Sequence, residues 1–386
     1  MKELINYLAD PIRSFPITCV LYFLMMKYYK VVGTKKFAWI AGTLFFITAG
    51  MFAMDPNFWL IITWPDNIPI SILILSVGFL TWFTLYKCAE NDKRIEAGEC
   101  PIEALPENRE KVWAWPNLVY TELFAIIAGT AFLIAWGILF DAPLEEPANP
   151  TWAPNPAKAP WYFLGLQEML VYFDPWMAGV VLPGLILVGL IAIPYIDTNP
   201  KGNGYYTFTE RKMAVSMFMF GWLVLWLYLI IVGTFLRGPN WTFYGPFEFW
   251  DFHKVVAEYN VNLSEFFWVF GLKQALPGNL IIRELPGIIL TILYMGIPVA
   301  LTFNSLNAIF QSIGESKNKF LNITMIAPAF KCLAGIPAFI EKTGYIRYYI
   351  YVYLAVIMAM LPVKMVLRWL FSLKYIIALP EWELNL

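Results

Sequence analysis

The stretch Asn155-Pro156-Ala157-Lys158-Ala159-Pro160-Trp161-Tyr162-Phe163-Leu164-Gly165-Leu166-Gln167-Glu168 concentrates the side chains best suited to chemistry. It follows a Pro-rich loop and lies between two long apolar segments, so Glu168 stands in apolar, aromatic surroundings. A carboxylate there is costly unless paired or used, which makes Glu168 a candidate proton acceptor. The plainer readings are a carboxylate paired to a partner subunit, or one capping a surface helix. Tyr162 can donate a hydrogen bond while its ring packs against apolar groups. Trp161 and Phe163 offer flat apolar walls for a ligand, and Pro160 suits the first position of a helix. If that helix begins at Trp161, Glu168 falls on the same face about 10 Å further along.

Glu122, just inside an apolar run, is a second proton-handling candidate, with snorkelling to the interface as its plainer explanation. Asp197, Arg211 and Lys212 read as anchors of a membrane boundary. His253, in Asp251-Phe252-His253-Lys254, reads as a docking contact or a solvated histidine. Met and aromatic residues within the spans read as lipid-facing or packing groups.

Composition limits what these groups can do. Of 386 residues, 59% are apolar, 18% aromatic and only 14% charged, against about a quarter charged in a soluble domain, so this is a membrane protein. A net charge of −1 gives no case for nucleic acid. Cys19, Cys88, Cys100 and Cys332 are scattered, which excludes c-type haem attachment and makes a four-cysteine cluster improbable. One histidine cannot supply both axial ligands of a bis-histidine haem, and the shortage argues against a His-rich metal site, so any redox metal is expected mainly on a partner. The start of the chain lacks a secretory pattern, so insertion by its own membrane helices is expected.

The elements that position the stretch follow from hydropathy. Residues 2–10 suggest a short amphipathic helix lying on the membrane. Apolar runs follow at 16–32, 37–54 and 68–87. The loop 88–111, with Lys93, Arg94, Arg109 and Lys111, is assigned to the side from which protons are taken, the n-side, because basic loops stay cytoplasmic. The run 118–140 leads to an acidic, Pro-rich p-side loop with Asp141, Glu145 and Glu146. Runs at 179–196 and 213–236 bracket an n-side loop carrying Lys201, Arg211 and Lys212. An aromatic p-side segment spans 237–284, then a run at 286–306 leads to an n-side stretch, 311–344, with Lys317, Lys319, Lys331 and Lys342. A final run, 345–371, ends in Lys364, Arg368 and Lys374, which the charge rule places inside, against the parity count. Either 320–340 re-enters or the tail is an exception, so its orientation stays open. The expectation is an all-α integral membrane protein of about eight transmembrane helices with interfacial amphipathic helices.

The order Trp115-Pro116-Asn117, apolar helix, acidic Pro-rich loop, Ala159-Pro160-Trp161-Tyr162-Phe163-Leu164, helix ending Ile193-Pro194-Tyr195-Ile196-Asp197, then Arg211-Lys212 before the next helix resembles a known family. It is similar to the C-terminal half of cytochrome b, which is a separate protein, subunit four, in chloroplast-type complexes. The resemblance covers about 113–236. It implies a subunit of a quinol-oxidising cytochrome bc complex, in which quinol loses one electron to a Rieske iron–sulfur protein and the other through two b haems. Implied with it are quinone or quinol (ubiquinol or menaquinol), a c-type cytochrome acceptor, and an energy-transducing membrane such as the bacterial inner membrane. Residues before Trp113 hold no histidine, so the haem b would reside in a separate cytochrome b N-terminal-type subunit. Pro160, Trp161, Tyr162 and Phe163 would then line the p-side quinol pocket, with Tyr162 and Glu168 in the chemistry and Glu122 serving a second quinone site. The family motif is Pro-Glu-Trp-Tyr. Here Pro160 precedes Trp161, so that glutamate is missing, and Glu168 is not a drop-in replacement for it.

Three parts are expected: an N-terminal membrane extension over 1–112, the cytochrome b-like module over 113–240, and a C-terminal extension over 241–386. Two rival readings are a quinone-docking subunit of an iron–sulfur-based oxidoreductase and a transporter. The latter should show inverted repeats or paired broken helices, and none stands out.

Overall fold

The computed structural model describes residues 2–108, 111–140, 146–197, 204–315, 330–331, 333–382 and 384–386. Arg109, Asp141, Glu145, Lys201, Lys317, Lys319, Cys332 and most of the 320–340 stretch lie outside the described residues. The described residues are mostly helical, as expected where backbone polar groups must be satisfied within hydrocarbon. Among the described residues, six helices are long and apolar enough to cross a membrane: Lys35–Ala53, Pro65–Glu96, Ala114–Leu139, Met177–Ile196, Lys212–Leu236 and Tyr345–Phe371. Lys2–Ala9 and Pro11–Lys27, bent by 79° at their junction, bring the number to seven when taken as one span. The run anticipated at 286–306 forms two shorter helices, Leu280–Met295 and Ile297–Ala300. The chain divides into two compact units.

One unit comprises Met1–Tyr22, Lys158–Asn199 and Met213–Leu386. Its amphipathic first helix docks through Asn6, whose side chain accepts from the Phe247 N–H at 3.0 Å. The following helix runs along Lys212–Leu236, with Ser14 and Tyr228 sharing a 2.7 Å hydrogen bond and Phe15 edge-on to the Tyr228 ring. Leu280–Met295 begins on an Asn279 cap, which accepts from Ile281 and Ile282. The Tyr345–Phe371 helix lies antiparallel beside it, because Tyr348 donates to the Pro298 carbonyl at 2.9 Å and Tyr294 to that of Val356.

The far end of that last helix settles beside the 237–284 segment. Arg368 donates to Glu258 at 2.7 Å and to the Asn260 side chain at 3.0 Å, and Leu373 bridges to Val261. Two of the cations that the charge rule counted are thus engaged within the fold. Arg368 is paired, and Lys364 is buried with its ammonium over the rings of Phe173 and Tyr375. The tail then folds into a small hairpin, Ala378–Leu379 with Leu384–Asn385. Its close approach requires Gly287, since a Cβ there would collide with the Ile376 carbonyl.

The tail is locked by Arg283, which grips Glu381 through two 2.9 Å bonds and holds buried Glu284 at 3.0 Å, while Glu284 accepts from the Ala378 N–H at 3.0 Å. The hydrogen bonds from Arg283 hold the Glu381 carboxyl below its usual range. A depressed folded-state pKa contributes stability above the unfolded value that is lost as pH falls through the folded one. Hydrogen exchange at the Leu379 amide should accordingly quicken on acidification beyond the intrinsic trend, and Glu381→Gln should remove that extra pH dependence. Equal pH dependence in both proteins would rule out this latch.

The second unit comprises Phe23–Ala157 and Pro200–Lys212. Thr34 caps Lys35–Ala53 by accepting from the Phe37 N–H at 3.2 Å, and Asp55 caps Pro56–Thr63 with proline at its first position. The helix expected over 68–87 continues to Glu96, and its extra turns carry a buried polar knot. Asp92, fully buried, accepts through Oδ2 from Tyr29 Oη at 2.8 Å and from the N–H groups of Phe208 and Thr209 at 3.3 and 3.1 Å. Neighbouring Asn91 donates to Glu103 at 2.6 Å and to the Tyr206 carbonyl at 3.0 Å. Burial, and then Asp92, push the Tyr29 phenol up.

Candidate functional site

Pro160 is extended (φ −52°, ψ 148°) and stands as the cap of a helix, Trp161–Met169, rather than at its first position. Its carbonyl accepts from the Phe163 N–H at 2.8 Å. The Gln167 side chain reaches back to accept from the Ala159 N–H at 2.8 Å, which fixes the chain's entry into the helix. Leu164, Gly165, Glu168 and Met169 are buried, with Gly165 close against Trp226 and Ile230 of the Lys212–Leu236 span. The opposite side carries Tyr162, 48% exposed, and Phe163, 50% exposed, with Pro160 also exposed and Trp161 half-buried. The rings of Trp161 and Tyr162 are 5.6 Å apart and those of Tyr162 and Phe163 4.7 Å. The helix thus presents a continuous aromatic surface outward and anchors itself inward.

The anchor is Glu168. Its carboxylate is fully buried and accepts from Arg237 twice, Nε to Oε2 at 2.9 Å and a terminal nitrogen to Oε1 at 2.6 Å, with Trp241 Nε1 adding a 3.2 Å bond. Arg237 also donates to the Trp241 carbonyl at 2.9 Å. This planar, two-bond pairing is among the strongest side-chain contacts available to a carboxylate. Burial works against the Arg237 charge, and Glu168 more than offsets it, so the guanidinium is held above its usual pKa. Burial, then the Glu168 charge, push the nearby Tyr172 phenol up.

Lys158 completes the cluster. Its ammonium donates to the Thr234 carbonyl at 2.7 Å and lies 5.3 Å from the Trp250 ring centroid. Burial brings it down to about 8, with Glu168 acting in the opposite direction. Sequence reasoning singled out Glu168 and missed both Arg237 and Lys158. Arg237 is 69 positions away, and its one signal was a lone cation directly after an apolar run ending at Leu236.

The other expected residues fall elsewhere. Glu122 is exposed on Val119–Leu139, a helix with no buried side chain, and belongs to the other unit. His253 is exposed on a loop, where its N–H donates to the Asp251 side chain. The haem of a cytochrome b complex needs axial histidines, so the residues of this chain do not fit it. Two apolar grooves of about 700 Å³ take no lining residue from the aromatic helix, one lined by residues including Leu263, Phe266, Trp268 and Ile289, the other by residues including Trp39, Phe79 and Trp82.

Length, apolarity and helical content define an all-α integral membrane protein. Residues 147–247 match the model of the family described as cytochrome b (C-terminal)/b6/petD, so this stretch is similar to a C-terminal cytochrome b half. The match opens later than the 113–236 resemblance and closes further on, taking in Lys158, the aromatic helix, Glu168, Arg237 and Trp241. The family implies an electron-transport role, as a cytochrome b-type membrane subunit of a bc/b6f-type complex. No solved structure matches the chain.

Proposed function

We propose that this chain supplies one wall of the quinol-oxidation pocket in a cytochrome bc-type complex, and that a separate subunit carries the haem b. The observation that carries the reading is the exposed Trp161–Phe163 surface on a helix pinned from behind by the Glu168–Arg237 pair, within the segment that matches the family. Flat apolar rings suit a quinol head, and the Tyr162 hydroxyl offers one hydrogen bond to a quinol oxygen. The pocket is closed by the haem-bearing subunit, since the aromatic surface faces out of this chain. A Rieske protein and a c-type cytochrome receive the electrons, in an energy-transducing membrane such as a bacterial inner membrane. The quinol is ubiquinol or menaquinol. Glu122, on its otherwise apolar helix, serves proton uptake at the n-side. Glu168 contributes by positioning, because its carboxylate is fully buried and paired with Arg237. The 1–112 and 241–386 segments are additions to the minimal 113–240 module.

Gentle extraction of the native complex and a reduced-minus-oxidised spectrum test this reading. A b-type signal from a histidine-rich companion is expected, and a preparation that oxidises quinol without b haem overturns it. In the assembled complex, Tyr162→Phe should slow quinol oxidation about tenfold, the worth of one hydrogen bond, and Trp161→Ala should raise KM. Unchanged kinetics in both variants would remove these residues from the pocket.

A further inference from the structure

In the second unit, a groove of about 710 Å³ runs between the helix Lys35–Ala53 and the span Pro65–Glu96. Lys35, Ala38, Gly42 and Phe46 line it at i, i+3, i+7 and i+11, so they share one helix face, and Phe79 and Trp82 line it from the facing span. No residue of Lys35–Ala53 is buried, and a Cβ added at Gly42 would meet nothing within 4 Å. This face is therefore an open cleft and not a packed helix contact. From Lys35 to Phe46 it extends about 16 Å at 1.5 Å per residue. One leaflet has about that depth, being half of a hydrocarbon core about 30 Å thick.

One end of the cleft is cationic. Lys35 lines it, and Lys36 adjoins it in the first turn of the helix. Thr34 caps that turn, so the positive end of the helix dipole coincides with the two lysines. The ammoniums of Lys35 and Lys87 lie 5.8 and 5.9 Å from the Tyr86 ring centroid, and Tyr86 stacks on Trp82 at 5.6 Å. Trp82 donates to the Thr34 carbonyl at 3.3 Å, which ties the two helices together at this end. The neighbouring carboxylates serve other cations, Glu96 at 2.6 Å from Lys30 and Glu90 at 3.8 Å from Lys87. Among the described residues, Lys35 and Lys36 have no carboxylate partner. The far end, at Phe46 and Ile47, carries no charge.

We infer that this cleft holds an anionic phospholipid, its phosphate on Lys35 and Lys36 and one acyl chain along Ala38, Gly42 and Phe46. A lipid divides charge and tail as the cleft does, over the same depth. A partner helix would leave the two ammoniums without an anion unless it brought an acid to the mouth. The charge rule assigns this Lys- and Arg-rich end of the hairpin to the n-side, where the membrane surface is negative. The inference is independent of the quinol reading.

The test delipidates the native complex in mild detergent and titrates it with phosphatidylglycerol or phosphatidylcholine of identical chains. Native mass spectrometry then counts the bound lipids. Wild type should prefer phosphatidylglycerol by about thirtyfold, since each lysine beside an anionic headgroup contributes about 1 kcal/mol. Lys35→Gln with Lys36→Gln should lose that preference and one bound lipid, whereas Lys35→Arg with Lys36→Arg should keep both. Gly42→Phe leaves the charges in place but fills the cleft, and should lose the same lipid. Equal affinity of wild type for the two lipids overturns the inference, because only general solvation by lipid then remains. An unchanged lipid count in the glutamine variant overturns it as well. If Gly42→Phe releases a protein subunit while the lipid count holds, the cleft seats a partner helix instead.

Discussion

Replacing Arg237 with alanine should destabilise the protein by about 3–5 kcal/mol, because it strands a buried carboxylate. Glu168 has no exposed surface, and after the substitution its remaining donor would be Trp241 Nε1 at 3.2 Å. The Trp241 carbonyl would also lose its 2.9 Å donor. Lysine is a poor substitute, since a point cation cannot place two parallel bonds on one carboxylate and a third on a carbonyl. Removing both charges is a different experiment. Glu168→Met with Arg237→Leu fills similar volume and leaves no charge to desolvate, so it should recover most of the loss. Thermal unfolding of the purified complex checks the order: wild type and the double variant close together, Arg237→Lys lower, Arg237→Ala lowest. A double variant as unstable as Arg237→Ala would mean that the loss comes from packing around the guanidinium rather than from the charge. The same double variant speaks to mechanism. Quinol oxidation that survives without Glu168 is the result expected of a positioning pair, and turnover lost from a stable, haem-replete complex would return proton acceptance to Glu168.

How far the site was legible follows from the range of the forces involved. The helix beginning at Trp161 was readable because its determinants are local: a proline at the entry, then an apolar run. Glu168 was conspicuous for the same reason, as an acid among aromatics. Its partner was not, because the pairing of Glu168 with Arg237 is made by packing one helix against the end of another, and no spacing rule links them. The engagement of the last helix's basic end was hidden likewise. Lys364 and Arg368 count as free cations in a charge tally, and only the fold reveals an aromatic pocket around one and Glu258 beside the other. The 88–111 stretch misled in the opposite sense. Its charges read as a solvated loop, yet the helix runs on to Glu96 and buries Asn91 and Asp92 beneath residues 206–209.

Asp92→Ala should be the second most damaging substitution, on the order of 3 kcal/mol or more, because one carboxylate oxygen serves three donors. Without it the Tyr29 hydroxyl and the Phe208 N–H lose a buried acceptor, each at about 1–3 kcal/mol, while the Thr209 N–H, on an exposed residue, can turn to water. The consequence is local before it is global. The 204–212 segment is held to its helix by Asp92 and by the Asn91 bond to the Tyr206 carbonyl, so losing Asp92 should free the loop. Limited proteolysis from the side bearing that loop should cut within 204–212 in Asp92→Ala while leaving wild type intact. Asp92→Asn retains a carbonyl oxygen for the two backbone donors and should lie between them, and Tyr29→Phe should cost about 1 kcal/mol. The Asp92→Ala and Tyr29→Phe losses should also fall short of additivity when combined, since both remove the same phenol–carboxylate bond. Full additivity, or proteolysis of Asp92→Ala no faster than wild type, would mean that the loop is held by the ring contact of Tyr29 with Phe208, centroids 4.4 Å apart, and not by the buried acid.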